Sequence, residues 1–270
     1  MKKIGFIGGG NMAQALLEGV LKAGLFKTKN VWISDVRTDR LNELKAKYSI
    51  QTTINNTELA AQADILVLSV KPQVMPSVLD SIAGTVKKDA MVISIAAGIT
   101  TDSIRAKMGD VQVIRVMPNT PALVGAGASG LYNASASREN LNAALDIFNS
   151  VGRAVIVENE ELMDAVTAVS GSGPAYFFLL MEEMVKAGLE LGLTQQTATT
   201  LVLQTAKGAA LLAELAQQRK EDPAILRQRV TSPGGTTEAA LKVFQQEHIS
   251  ATVQKALTAA YNRGKELSVG

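Results

Sequence analysis

The chain has 270 residues, 47% of them hydrophobic, with 27 Lys and Arg against 25 Asp and Glu for a formal net charge of +2. That length admits one large domain or two moderate ones, and scattered, nearly balanced charge excludes the basic footprint of a nucleic-acid binder. With no cysteine and a single histidine, His248, disulfides, thiol nucleophiles and cysteine-ligated metals are excluded. A catalytic role then calls for a cofactor that carries the reactive atom.

No run approaches the apolar length of a membrane span. The opening MKKIGFIGGG is too short and too glycine-rich in its apolar part for a signal peptide, so a cytoplasmic location is expected. KIGFIG (3–8) reads as a buried strand, followed by Gly8-Gly9-Gly10-Asn11-Met12-Ala13 and a helix over 12–23. This is G-x-G-x-x-A at the first strand-to-helix turn. Gly8 permits the tight turn, Gly10 removes a side chain where backbone meets phosphate, and Ala13 lets the helix pack closely. The helix amino end adds free amides and a favourable dipole. Glycine clusters also serve plain turns, but the strand before and the helix after favour dinucleotide binding.

The next strand is VWISD (31–35). Asp35 at its end suits a ribose hydroxyl and hence NAD, whereas Ser34 and Arg37 suit a 2′-phosphate and hence NADP. The loop leaves both open. A helix over 39–47 follows, then the strand ILVLSV (65–70), a helix over 74–82, and the strands MVISIAA (91–97) and VIRVM (113–117). Nearly unbroken apolar strands alternating with helices predict a parallel sheet covered on both faces. Ligands in such sheets lie beyond the carboxyl ends of the strands. Here those ends are Ser69-Val70-Lys71-Pro72, Ile95-Ala96-Ala97-Gly98 and Met117-Pro118-Asn119-Thr120-Pro121.

From about residue 161 the pattern changes to helices, over 175–191, 197–216, 224–230, 237–246 and 251–267. Several are apolar on more than one face, which predicts burial against a second subunit; a self-sufficient helical core is the alternative. His248 reads as a surface residue near a helix end. VSGSGPAYFF (169–178) reads first as close helix packing and second as a ligand contact. RVTSPGGTTEAALKVF (229–244) places Ser232, Gly234, Gly235, Thr236 and Thr237 ahead of a helix. Such a turn serves one of two ends, a threonine cap on the helix or a set of amides that grips an anion.

Taken together, GFIGGGNM, SVKPQ, SIAAGI, RVMPNTPA, VSGSGPAYFF and VTSPGGTTEAA resemble pyrroline-5-carboxylate reductases over essentially the whole chain. The resemblance implies an α/β fold: a Rossmann-type doubly wound sheet over 1–160, then an all-α substrate-binding and dimerisation domain over 161–270. It implies hydride transfer from NADPH, or less efficiently NADH, to the C=N bond of 1-pyrroline-5-carboxylate, giving L-proline. It also implies a homodimer, with dimers joined into rings such as a decamer, and no nucleic-acid or membrane partner. Its cofactor contacts fall on Ile7, Gly8, Gly9, Gly10, Asn11, Met12, Ser34, Asn56, Ser69, Val70, Lys71, Pro72, Ile95, Ala96 and Ala97; the loop itself adds Arg37 as a cofactor contact, and Asp35 and Arg37 depart from the small or hydroxyl residues of many relatives. Its substrate loop falls on Ser232 to Thr237, with Thr237 at the position that bonds the ring nitrogen. In this reading the backbone of Gly234, Gly235, Thr236 and Thr237 holds the substrate carboxylate. The competing readings are a β-hydroxyacid dehydrogenase, for which Lys186 arrives late, and a cofactor-binding protein without catalysis.

Overall fold

The computed structural model describes residues 2–269. Its first half is an eight-stranded sheet with interleaved helices: β1 (Ile4–Ile7), α1 (Asn11–Lys22), β2 (Val31–Ser34), α2 (Thr38–Tyr48), β3 (Gln51–Thr53), α3 (Asn56–Gln62), β4 (Ile65–Leu68), α4 (Met75–Ile82), β5 (Met91–Ser94), α5 (Thr101–Met108), β6 (Gln112–Met117), β7 (Gly127–Asn133), α6 (Arg138–Asn149) and β8 (Gly152–Ile156). The order across the sheet is β3-β2-β1-β4-β5-β6-β7-β8. From β3 to β6 every pairing is parallel, with Ile4 of β1 opposite Val31 of β2 on one side and Ile65 of β4 on the other. The chain thus leaves β1 one way to β2 and returns on the other side to β4, which opens a crevice at the carboxyl ends of β1 and β4.

Strand periodicity divides the core between the two faces. Ile4, Phe6, Ile33, Val67 and Ile93 pack with α1 and α6 residues such as Leu16, Leu17 and Phe148. Ile7, Leu66, Leu68 and Val92 pack with Leu59, Leu79 and Ile104 from α3, α4 and α5. Burial on both faces is why these strands read as continuous apolar runs.

The structure departs from the sequence reading in four ways. The sheet is not wholly parallel: β7 pairs antiparallel with β6, and β8 then runs parallel to β7. Neither of these last two strands is legible in the sequence, because GASGLYN and the half-exposed GRAVI lack a buried apolar run. Similarly β3, polar and three residues long, gives no signal. The recognised strands also stop earlier than expected, at Ile7, Ser34, Leu68 and Ser94, because the following residues turn away into the carboxyl-end loops. Helices α3, α5 and α6 were likewise missed; their side-chain caps Asn55, Thr100 and Ser137 each accept a helix-start amide.

The helical half comprises α7 (Leu162–Val166), a π-helical turn over Thr167–Gly171, α8 (Gly173–Glu190), α9 (Gln195–Gln217), α10 (Pro223–Arg229), α11 (Thr236–Gln246) and α12 (Ile249–Val269). Contacts group the chain into two compact units. One runs to Pro174 and includes the chain from Ala259 onward; the other is Ala175–Thr258. The second unit has little interior of its own. Its α9 buries only Ala198, Val202 and Ala216, and α10 and α11 bury nothing. Phe177 is 65% exposed, Phe178 60% and Leu203 53%. His248 is an exposed left-handed residue (φ 55°) at the joint between α11 and α12.

Within the first unit, Arg115 of β6 is buried and its Nη1 lies 3.0 Å from Glu160 Oε1. The same carboxylate accepts the Thr101 amide at 2.8 Å and the Thr101 hydroxyl at 2.6 Å, so it holds the start of α5 as well. Removing one partner of a buried pair leaves the other charge uncompensated. Glu160→Ala is therefore expected to lower stability by about 3 kcal/mol, read as a drop in urea midpoint against the parent chain.

Candidate active site

The glycine turn between β1 and α1 sits at the crevice. Gly8 has φ +96°, and a Cβ there would lie 2.8 Å from the Ser69 carbonyl oxygen. No other residue fits both the backbone angle and the closeness of the β4 end. The turn is fixed from several sides. Gly8 N–H donates to the Ser34 carbonyl at 2.8 Å. Ser69 Oγ lies 2.9 Å from the Ile7 carbonyl oxygen and 2.8 Å from that of Gly8, and shares its one proton between them. Gly9 is buried, its N–H donating to Asp35 Oδ2 at 2.7 Å and its carbonyl accepting from Arg40 Nε at 2.8 Å.

Beyond that fixed turn the chain leaves room for a ligand. Gly10 is exposed, and a Cβ built on it meets nothing within 4 Å. It is also the N-cap of α1, which has no side-chain cap. Among the described residues the amides of Asn11 and Met12 have no partner, so an anion can take them. A cleft of about 370 Å³ continues from Gly8 past Ser34, Asp35, Asn56, Val70 and Val74. Its fit is that of a dinucleotide: a bare glycine and open amides for the diphosphate, a longer apolar and hydroxyl-lined trough for the nucleoside.

Each site residue named from the sequence can be placed. Ile7, Gly8, Gly9, Gly10, Asn11 and Met12 form the turn itself. Ser34 is fully buried, and its hydroxyl donates to Asn56 Oδ1 at 2.7 Å, so these two residues form one pair in the cleft wall. Arg37 is exposed, with Nε 3.9 Å from Asp35 Oδ1. Lys71 is exposed at the carboxyl end of β4, before the short 3-10 turn Pro72–Val74. Ile95, Ala96 and Ala97 follow β5, and Gly98 (φ +74°) closes their loop against the Leu267 carbonyl oxygen of α12, only 2.6 Å from where a Cβ would stand. The π-helical turn was not legible. Its displaced Ser170 carbonyl accepts from Asn119 Nδ2 at 3.0 Å, and the Asn119 Oδ1 accepts the Ala128 amide at 2.9 Å. VSGSGP thus packs on the loop after β6, with Gly171 against Met117.

The 232–237 turn lies in the other unit. Gly234 has φ +71° and Gly235 is the N-cap of α11, with no side-chain cap, so neither threonine caps the helix. The Gly234 amide donates to Glu238 Oε2 at 2.8 Å and the Gly235 amide to the Ser232 carbonyl at 3.0 Å. That removes both from the anion set expected of them. The amides of Thr236, Thr237 and Glu238 have no partner among the described residues. An anion pocket at this turn therefore sits one residue further along than the sequence suggested.

The bareness around Gly10 separates folding from ligand binding. Gly10→Val adds atoms where the protein has none, so the melting temperature is expected to stay near the parent's. Dinucleotide affinity, read by fluorescence titration with NADPH, is expected to fall at least tenfold or so because the side chain occupies phosphate space.

Comparison with known proteins bears on what that dinucleotide site serves. The family model described as pyrroline-5-carboxylate reductase dimerisation matches residues 160–267, and one described as NADP oxidoreductase, coenzyme F420-dependent, matches 3–98. A pyrroline-5-carboxylate reductase of Pseudomonas aeruginosa is 46% identical over 268 residues, 98% of this chain and 97% of that protein. One from Escherichia coli is 36% identical over 269 residues, covering 99% and 98%. Among solved structures, a pyrroline-5-carboxylate reductase of Coxiella burnetii superposes with TM-score 0.90 at 41% identity, over 99% of this chain and 98% of that one. The Plasmodium falciparum pyrroline carboxylate reductase with NADP bound superposes with TM-score 0.87 at 31% identity, over 99% and 98%. With identity this high sustained from the glycine turn to the last helix, the chain belongs to the pyrroline-5-carboxylate reductase family.

Proposed function

We propose that this protein reduces the C=N bond of 1-pyrroline-5-carboxylate to L-proline, the last step of proline biosynthesis. The observation that carries the reading is the 232–237 turn, whose glycines start a helix without any side-chain cap and leave three amides free. NADPH, with NADH a poorer substitute, supplies the hydride when bound in the β1–β4 crevice. The glycine turn and the amides of Asn11 and Met12 hold its diphosphate. Ser34, Arg37 and Asn56 bound the ribose end, and Ser69 to Pro72 with Ile95 to Ala97 shape the remainder of the cleft.

The substrate is a small ring with an imine and a carboxylate. The carboxylate rests on the amides of Thr236, Thr237 and Glu238, favoured by the positive end of α11. The Thr237 hydroxyl meets the ring nitrogen, donating to an imine or accepting from the iminium and the product amine. A hydride adds to the ring carbon more readily when nitrogen already carries its proton, because the iminium is the better electrophile. That proton arrives with the substrate or through water. No strong side-chain acid is needed, in keeping with a chain that has one histidine and no cysteine.

The domain assignment goes with this reading: 1–160 binds the cofactor, while 161–270 carries the substrate turn and the dimer contact. The exposed Phe177, Phe178, Leu179 and Leu180 of α8 and Leu201 and Leu203 of α9 suit burial by a second copy. We place the homodimers in a decamer in the cytoplasm. Among the described residues no helix is long and apolar enough to cross a membrane.

Thr237→Ala is expected to cut kcat for pyrroline-5-carboxylate about tenfold or more with little change in NADPH affinity; parent-like turnover at equal stability would remove the nitrogen contact from the reading. Phe177→Glu combined with Leu203→Glu is expected to give a monomer by sedimentation that still binds NADPH but no longer turns over. An active monomer would refute the role given to the dimer.

A further inference from the structure

We propose that Asp35 and Arg40 form a two-sided clamp on the Gly9 peptide that positions the diphosphate turn. In this assignment Arg40 is a positioning residue for cofactor binding, and Asp35 serves the turn rather than selecting between ribose 2′-groups. The inference rests on the dinucleotide site described above.

The observations converge on one peptide unit. The Gly9 amide donates to Asp35 Oδ2 at 2.7 Å, and the Gly9 carbonyl accepts from Arg40 Nε at 2.8 Å. Both are charge-assisted hydrogen bonds, stronger than neutral ones. Each clamp residue is itself held. Asp35 Oδ1 accepts the Arg37 amide at 2.9 Å, and the Asp35 side chain is only 14% exposed. The Arg40 guanidinium, 10% exposed, gives Nη2 to Gln14 Oε1 at 2.5 Å and Nη1 to Glu43 Oε2 at 2.8 Å. Gln14 stands on α1, whose N-cap Gly10 is the next residue after Gly9. The buried cation therefore ties together α2, the glycine turn and the first turn of α1, the three pieces whose spacing fixes where the amides of Asn11 and Met12 point.

Chemistry explains why a planar fork is used. Nε reaches the Gly9 carbonyl while the terminal nitrogens reach Gln14 and Glu43, three directions that a lysine ammonium on a flexible stem cannot hold together. The same geometry bears on Asp35. A strand-end carboxylate that reads a ribose 2′-hydroxyl points outward into the nucleoside trough. Here one oxygen is on the Gly9 amide and the other on the Arg37 amide, so the carboxylate faces the chain. Loss of the clamp then misplaces the diphosphate amides, which NADPH and NADH share. It does not alter the contacts at the 2′-position, where the two differ.

The test measures Kd for NADPH and for NADH separately, by nicotinamide fluorescence with the full-length protein and no imine present, so failure of the reductase assignment cannot be mistaken for failure of the clamp. Arg40→Met is expected to weaken both cofactors about tenfold or more, with Arg40→Lys between it and the parent. Asp35→Ala is expected to weaken both by the same factor, and Asp35→Asn, whose amide oxygen can still accept from Gly9, to lose less. Should Arg40→Met fail to fold, the Asp35 pair decides. Selective loss of NADH with NADPH kept or improved in Asp35→Ala would make Asp35 a ribose hook and overturn the clamp. Cofactor Kd values within twofold of the parent in Arg40→Met would overturn it equally.

Discussion

The closeness of two parallel strand ends, β1 at Ile7 and β4 at Leu68, is the constraint on which the rest of the molecule depends. The chain must turn back at Gly8 within 2.8 Å of the Ser69 carbonyl, measured to where a Cβ would be. Only a glycine with positive φ survives there. Everything useful at the crevice follows from that turn. It starts α1 without a side-chain cap, which leaves amides for an anion. It brings the Ser69 hydroxyl under the Ile7 and Gly8 carbonyls. It also presents the Gly9 peptide to β2 and α2, where Asp35 and Arg40 can reach it.

The two uncapped glycine helix starts of this protein expose amides in different surroundings. At the β1–α1 turn the amides are set into a rigid sheet edge, with core packing on both faces and charged side chains gripping the turn from behind. At the 232–237 turn the helix start is built from glycines in a unit with almost no buried interior, and a local carboxylate, Glu238, takes the Gly234 amide. For small anions shared with water, aligned amides at a helix start are sufficient, and they allow an apolar ring or a nicotinamide to lie alongside without a competing charge.

Rigidity is distributed to match. The first unit ties its loops with buried polar contacts, namely Glu160 on Arg115 and Thr101, and Asn119 on Ser170 and Ala128. These join the strand-end loops to the segment that leads into α7 and the π-helical turn. The second unit instead leaves Phe177, Leu179, Leu203 and Leu211 about half exposed or more, as expected of helices whose burial is completed by another copy of the chain.

The sequence by itself determined the doubly wound first half, the helical second half and the two glycine turns. Period-two apolar runs buried on both faces, and glycines at strand-to-helix joints, are local features that need no knowledge of distant residues. It also carried the family, since identity runs the length of the chain. What only the tertiary structure decided was which groups meet. The antiparallel β7 and the edge strand β8 have no apolar pattern to announce them. Arg40 looks like any surface cation on a polar helix until its neighbours are known. The bonds of Asp35 to the Gly9 amide and of Ser34 to Asn56 likewise appear only when the chain is folded. Pairings across 20 or 30 residues and across the sheet depend on side-chain direction and burial, and a linear pattern of residue types encodes neither.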